Sequence, residues 1–351
     1  MSEHSSPSAP ETISRPRGKR VFIVILALLA GIGGYSGWWW FAVGQLEKGI
    51  SLWIEARRAE GIEIGYDSLR INGYPAFIHI ELTKPKATPL NGDDWSWQGE
   101  RLAFEGRPWA YSRVTYDLSG GQSGRILLDG KGEPFTFEAK ILAGEAVLKK
   151  GSINTVRTRG EELTFKLINR ENTITITQIE TFLEHQDNQQ SHLDARLRDL
   201  RISRLAGSSL GERVRHLRIK TTFHGRVPPR QSADALARWR DDGGELDVTS
   251  LDLSYGPLQV SGNGKFVLDY ALQPAGTFSA RIVGVSSALD SFQRNGKIGP
   301  RDAMAVKLAV GVLSKSPEGG GERYLDVPVK IENRTPHIGP FKLKPLPPIN
   351  W

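Results

Sequence analysis

The pentapeptide Gly207-Ser208-Ser209-Leu210-Gly211 fits the G-x-S-x-G pattern and puts Ser209 where a nucleophile would stand. That chemistry requires a strand, a strained turn, and then a helix whose N-terminus stabilises an oxyanion. The residues that follow, ERVRHLRIKTTF, read as a strand, so the pentapeptide reads as a hairpin loop. The 7 histidines contain no H-E-x-x-H; His216 and His224 can share one wet strand face but lie far apart along it. SGNGKF, residues 261–266, lacks the first glycine and the final Ser/Thr of a phosphate loop, and no G-x-G-x-x-G occurs. Carboxylates are scattered, with nothing that marks a glycosidase pair. The chain is therefore expected to be no enzyme, with no catalytic residue, cofactor or metal site.

One electrostatic feature stands out. Arg196, Arg198, Arg201, Arg204, Arg213, Arg215, Arg218 and Lys220 face only Asp199 and Glu212 between residues 196 and 220. Several alternate with apolar residues, which puts much of this charge on the wet face of a hairpin. Read functionally, it is a docking surface for anionic phospholipid or lipopolysaccharide head groups. Read structurally, it is a solvated edge that discourages sheet-to-sheet association.

The elements that would carry such a surface begin at a membrane. Val21 to Val43 is a run of 23 residues without a charge. At about 1.5 Å per residue it spans roughly 34 Å, enough for a hydrocarbon core of about 30 Å. A signal-peptide core is usually about 7–15 residues, although Ala30-Gly31-Ile32-Gly33 imitates a cleavage site. Trp38, Trp39 and Trp40 close the run where indoles favour the membrane–water boundary, so an uncleaved anchor is the expectation. Arg15, Arg17, Lys19 and Arg20 precede it, whereas Lys48 is the first basic residue after it. The positive-inside bias leaves the N-terminus cytoplasmic and, in a Gram-negative inner membrane, the rest periplasmic. Nucleic acid is not an expected partner there.

Four segments follow: a disordered basic tail over 1–20, the span over 21–43, an amphipathic juxtamembrane helix over 44–61, and a β-rich body over 62–351. The body is read as one domain or as two half-sheets, 62–230 and 231–351. In the helix, Leu46, Ile50, Trp53, Ile54 and Arg57 form the stripe and Gly61 the stop. In the body the period is two: Ala76, Ile78, Ile80 and Leu82; Phe135, Phe137, Ala139 and Ile141; Phe266, Leu268, Tyr270 and Leu272. Strict alternation means sheets with one dry and one wet face, joined largely by hairpins. About fifteen candidate strands can be counted this way. Only two later segments read as helices, one capped by Ser232 and one opened by Pro300. The fold class expected is mainly β: a transmembrane helix, then a large antiparallel, curved sheet or sandwich with a few covering helices. The absence of cysteine excludes disulfides, thiolate metal sites and a lipoprotein, whose lipid is carried on a cysteine just after the apolar core, and a net charge of +7 tolerates anionic partners without naming one.

Three stretches carry a resemblance: INGYPAFIHIELTKP, LQVSGNGKFVLDYALQPAGTFSARIVG and YLDVPVKIENRTPHIGPFKLKPLPPINW. They resemble the alphaproteobacterial domain of unknown function 2125 family, DUF2125, over nearly the whole chain past residue 20. The order of parts is similar too: basic tail, one span, Trp-bearing helix, β-rich body. These motifs are turn glycines and prolines, so they identify scaffold rather than chemistry. In place of the family's acidic-glycine turn in the last strand pair, this chain has Asn333-Arg334-Thr335-Pro336. In architecture alone the chain is similar to AsmA-like envelope proteins, whose curved sheets are thought to shield lipid tails. That likeness implies lipid handling; the alternative is a structural or assembly factor that binds another envelope protein.

Overall fold

The computed structural model describes residues 17–90, 95–128, 131–170, 172–186, 189–228, 232–338, 341–342, 344–349 and 351, with backbone alone for 17–21 and 341. The tail expected over 1–20 lies, up to residue 16, outside the described residues.

Helix α1, Arg17–Ala59, is continuous through the junction where the sequence suggested a span and a second helix. Gly44 at that junction costs a helix interior only about 0.5–1 kcal/mol, and no proline interrupts the segment. Leu46, Ile50, Ile54 and Arg57 are half-buried, whereas Trp53 is exposed. Gly61, with φ of 85°, ends the helix.

The chain then turns back along α1. Strands β1 (Ile62–Gly65) and β2 (Ser68–Asn72) lead to a tight tip, and β3 (Ile78–Thr83) returns. Twelve extended residues reach about 40 Å, close to the roughly 35 Å of helix between Ser36 and Ala59. The tip therefore meets α1 near residue 36. Ala76 and Phe77, read as strand from alternation, belong to this tip.

Strands β4 (Lys86–Pro89), β5 (Ser96–Gly99), β6 (Arg101–Arg107), β7 (Ala110–Asp117) and β8 (Gly120–Leu128) complete a forked start to the sheet. The fork closes on the long strand β9, Lys131–Lys149. Its first half pairs with β8 (Ala139 opposite Gly120) and its second half with β7 (Ala143 opposite Asp117). One branch runs β8–β5–β4–β1 and the other β7–β6–β3–β2. Residues 118–119 cross between the branches at β9, where the Leu118 N–H donates to the Leu142 carbonyl and the Leu142 N–H to the Ser119 hydroxyl.

Beyond β9 the sheet is a plain antiparallel meander. It runs through β10 (Ser152–Leu167), β11 (Asn172–His185), β12 (Ser191–Ile202), β13 (Arg213–His224), β14 (Glu245–Tyr255), β15 (Leu258–Leu268) and β16 (Pro274–Val283). It ends with β17 (Tyr324–Glu332), β18 (Thr335–Ile338) and β19 (Phe341–Lys342). Among the described residues, nineteen strands thus form one open sheet, more than alternation alone resolves. The Asn333-Arg334 turn has both residues at positive φ, 48° and 62°. That is the geometry of a two-residue hairpin whose twist matches its strands, here without glycine.

Alternation is not strict. The apolar series jumps by three rather than two at Ala139–Leu142, Gly160–Leu163, Ile176–Ile179, Leu197–Leu200 and Val214–Leu217. These steps are opposite one another from β9 to β13, so they form one crease across five strands. Glu162 and Asp199, inside it, sit at φ of 49° and 51°. The inversion is real: a Cβ on Gly160 would stand 3.0 Å from Leu163 Cδ1, so the two share a face. The crease begins at the fork, runs across the strands and keeps the apolar residues on one face through the step; that creased apolar face is termed the trough.

Helix α2, Ala233–Asp241, is capped by Ser232, whose side chain accepts from the Ala235 N–H. Helix α4, Pro300–Leu313, has Pro300 in its first turn. A third helix, α3 (Val285–Arg294), was not among the expected ones, although Val285, Ala288, Leu289 and Phe292 stand at helical spacing; it follows Gly284, in the left-handed region, and buries Ala288 and Leu289.

Candidate functional site

The inner face of the trough is the first candidate. One register row runs from Ile78 on β3 through Gly106, Val114, Ala146 and Val156, and on to Phe278, Val329 and Ile338. Between these lie Leu183, Leu193, Thr221, Val248 and Gly264, so every position is apolar, glycine or threonine. Directly opposed residues share a face, and twelve strand spacings of about 4.8 Å make this track roughly 58 Å long. On the same face, on the other side of the crease, Phe135 and Phe165 stack at 5.5 Å between centroids. Towards β15 and β16, Gly262, Gly264 and Gly276 let the strands approach closely: a Cβ on Gly264 would stand 2.7 Å from Phe278 Cα, and one on Gly276 2.9 Å from the Phe266 ring. The two phenylalanines lie over the glycines and hold the curl.

Among the described residues this face is not covered: within the sheet no large side chain is fully buried, and the buried apolar set there is mostly Ala103, Ala139, Ala195 and Ala280 with Leu163, Leu167 and Val248. The chain exposes 23536 Å², against about 14,000 Å² for a compact chain of its mass. Helix α1 and the single-layered sheet both add to the excess.

The basic run lies elsewhere. Arg196 stands opposite Arg218, and Arg201 opposite Arg213, on the face away from Ala195, Leu197 and Ile219. It is a ladder on the outer face and does not rim the trough, because alternation sends the two sets of side chains to opposite sides. Asp194 holds three of the cations, at 3.3 Å (Arg196), 3.4 Å (Arg218) and 3.9 Å (Lys220). Arg213 pairs with Asp199 at 2.5 Å, Arg198 donates to Gln178 at 3.4 Å, and Arg215 donates to the Gly256 carbonyl at 3.2 Å. Arg204 stands in a short 3-10 turn, Ser203–Leu205, and helps line a cleft of about 690 Å³ with Ser209, Phe292 and Lys297. Ser209 sits in the turn before β13, its buried hydroxyl has no hydrogen-bond partner, and no helix follows it. Among the described residues no three His, Asp or Glu side chains are grouped to hold a metal.

The tryptophan belt divides. Trp38 and Trp40 are exposed at 45% and 68%, whereas Trp39 is 2% exposed. Its indole N–H donates to the Phe77 carbonyl at 3.3 Å, and its ring stands edge-on to Tyr74 at 5.5 Å. Ser36 and Tyr74 share a hydrogen bond between hydroxyls at 2.7 Å, and Tyr35 donates to the Pro75 carbonyl. Trp39 is thus part of a clasp between α1 and the β2–β3 tip, and only its neighbours face outward.

The sequence profile of a family described as an uncharacterized protein conserved in bacteria, DUF2125, matches residues 39–347. The chain belongs to this family. Comparison with curated proteins and with solved structures finds no match. For a DUF2125 chain the match begins at Trp39, the residue in the clasp, and covers the whole sheet. The α1 residues from Phe22 onward are long and apolar enough to cross a membrane, a test that a signal sequence passes as well. Sequence reasoning missed Tyr35, Tyr74 and Phe77, although an aromatic pair around a Tyr-Pro turn was there to be read.

Proposed function

We propose that this chain is a non-enzymatic protein of the bacterial inner membrane that binds or carries lipid on the apolar face of its trough. In this reading α1 is retained as a single-pass anchor, with the N-terminus cytoplasmic and the sheet in the periplasm. Supporting it are the uncharged length of the span and the basic residues that precede it.

The observation that carries the reading is the uncovered, continuous apolar track. Each buried CH₂ contributes about 0.8 kcal/mol, so a tail that laid nine methylenes along it would gain roughly 7 kcal/mol. A track of about 58 Å is about twice the thickness of a hydrocarbon core, long enough for several tails in series. Phospholipid or lipopolysaccharide head groups would project from the open side of the trough; the basic ladder, on the other face, would not reach them.

Native mass spectrometry of the full chain, released gently from membranes with lipids extracted alongside, tests this. Phospholipid near one-to-one or above supports it; a bare mass that gains no lipid from liposomes overturns it. A second reading, an assembly factor that binds another envelope protein, is favoured by α4, where Met304, Leu308, Val312 and Leu313 are all at least 60% exposed. Co-purification of one stoichiometric envelope protein, lost on Leu308→Glu, would favour that reading.

A further inference from the structure

We propose that three adjacent hairpin tips form a membrane-resting edge that seats the sheet on the outer leaflet of the membrane α1 crosses, with anionic phospholipid as the occupant. This rests on the reading of α1 as a spanning anchor.

The geometry begins at the clasp. Tyr35, Ser36 and Trp39 lie in the second half of the apolar run, and they bind Tyr74, Pro75 and Phe77 directly. The β2–β3 tip therefore stands at the depth of the interfacial aromatics, whatever the rest of the sheet does. Pair registers then carry that depth sideways. Ile78, Gly106, Val114 and Ala146 are in one row, and beyond this row lie the β2–β3, β6–β7 and β9–β10 tips. Their centres span about 19 Å at four strand spacings of about 4.8 Å.

What the tips present suits an interface. Tyr74 is 46% exposed, Trp109 60%, Tyr111 84% and Ile153 53%. In water these are unfavourable placements for large rings; at the head-group level they are the preferred ones. Charge agrees. Residues 73–80, 106–116 and 146–160 contain no Asp or Glu, while the last two tips carry Arg107, Arg113, Lys149 and Lys150. Arg113 also reaches Glu145 at 3.1 Å, one residue inside the edge. Near an anionic surface each such cation contributes about 1 kcal/mol. The opposite strand ends are mixed in charge: Lys84 meets Asp67 at 3.3 Å and Arg101 meets Asp117 at 2.6 Å, while Arg170, Arg204 and Arg213 stand in or beside the same set of turns. The three tips thus differ in combining exposed rings with basic charge and no acidic residue in their turns.

The chain has no cysteine, so single labels are specific. Trp109→Cys, Tyr111→Cys, Ile25→Cys in the span, and Asn169→Cys at the opposite strand ends would each carry an environment-sensitive fluorophore. The full chain is reconstituted in phosphatidylethanolamine–phosphatidylglycerol vesicles containing spin-labelled lipid. The expected result is loss of emission at 109 and 111 from head-group-proximal spin labels, loss at 25 from deep ones, and none at 169. Replacing phosphatidylglycerol by zwitterionic lipid should weaken quenching at 109 and 111 and leave 25 unchanged. Quenching at 25 with 109 and 111 behaving like 169 overturns the edge and leaves the anchor standing. No quenching at 25 overturns the anchor reading, and the edge with it.

Discussion

The two faces of the meander are built from the same strands and have opposite fates. On β15, Gly264 and Phe266 point into the trough, and Lys265 between them points out, where it bonds Glu245 at 2.8 Å. The outer face is finished: its charges meet in pairs such as Arg281–Asp326 at 3.1 Å and Lys140–Glu162 at 2.5 Å, and water completes their hydration. The inner face is unfinished, since no second layer covers its apolar side chains. Leaving such area in water forgoes about 25 cal/mol per Å², a standing penalty that a bound apolar ligand would remove.

The largest expected effect comes from breaking the geometry that keeps the faces apart. Gly264→Val would drive a side chain into the Thr277 carbonyl and to within 2.7 Å of Phe278 Cα. Overpacking against backbone should cost about 3 kcal/mol and lower the unfolding midpoint in a denaturant titration of the full chain. Next is Phe137→Glu, which places a charge on the apolar face of the trough opposite Phe165. Lipid retained through purification should fall at least about tenfold, a change of about 1.4 kcal/mol. The fold should survive, because the ring is only half-buried at the start.

The outer face should respond to acid where the inner face does not. Burial tends to raise the Asp117 pKa, but hydrogen bonds from the Ser119 side chain and backbone, with Arg101 at 2.6 Å, outweigh it and hold the carboxyl below its usual 3.8. A carboxylate with a depressed folded pKa stabilises the fold above the unfolded pKa and loses that contribution as pH falls through the folded one. Stability should therefore drop below about pH 4. Asp117→Asn should flatten that drop without changing bound lipid, measured by thermal unfolding across an acid pH series. Smallest of all is Lys265→Ala. Hydrogen bonding to Glu245 raises the lysine pKa, yet the group is fully exposed, and water and salt screen the pair. Neither the unfolding midpoint nor lipid retention should move measurably.

Much of this architecture was legible, and the failures have physical causes. Apolar alternation identified the sheet because one dry face demands it; it misassigned Ile141, which falls in the crease, because a three-residue step is invisible to a period-two template. Pair registers reveal the crease only by placing five such steps side by side. Helix α3 was missed although Val285, Ala288, Leu289 and Phe292 stand at i, i+3, i+4 and i+7: it follows directly on the alternating run of β16, and Gly284 at its start offers no side-chain cap to mark the change of period. The basic ladder was read correctly as a wet face; that the trough lies behind it needed the pairing of β12 with β13. Trp39 shows the same limit: three tryptophans in a row advertise an interface, and only the fold shows that the middle one has a protein partner.

The central claim is that the two faces meet different neighbours. Site-specific photocrosslinking in growing cells tests it most directly, with a photoreactive phenylalanine analogue placed at Phe266 or, one residue away, at Lys265. The account predicts covalent phospholipid or lipopolysaccharide adducts from position 266 and none from 265. Equal adducts at both positions, or none at 266 with the protein folded and anchored, would contradict it.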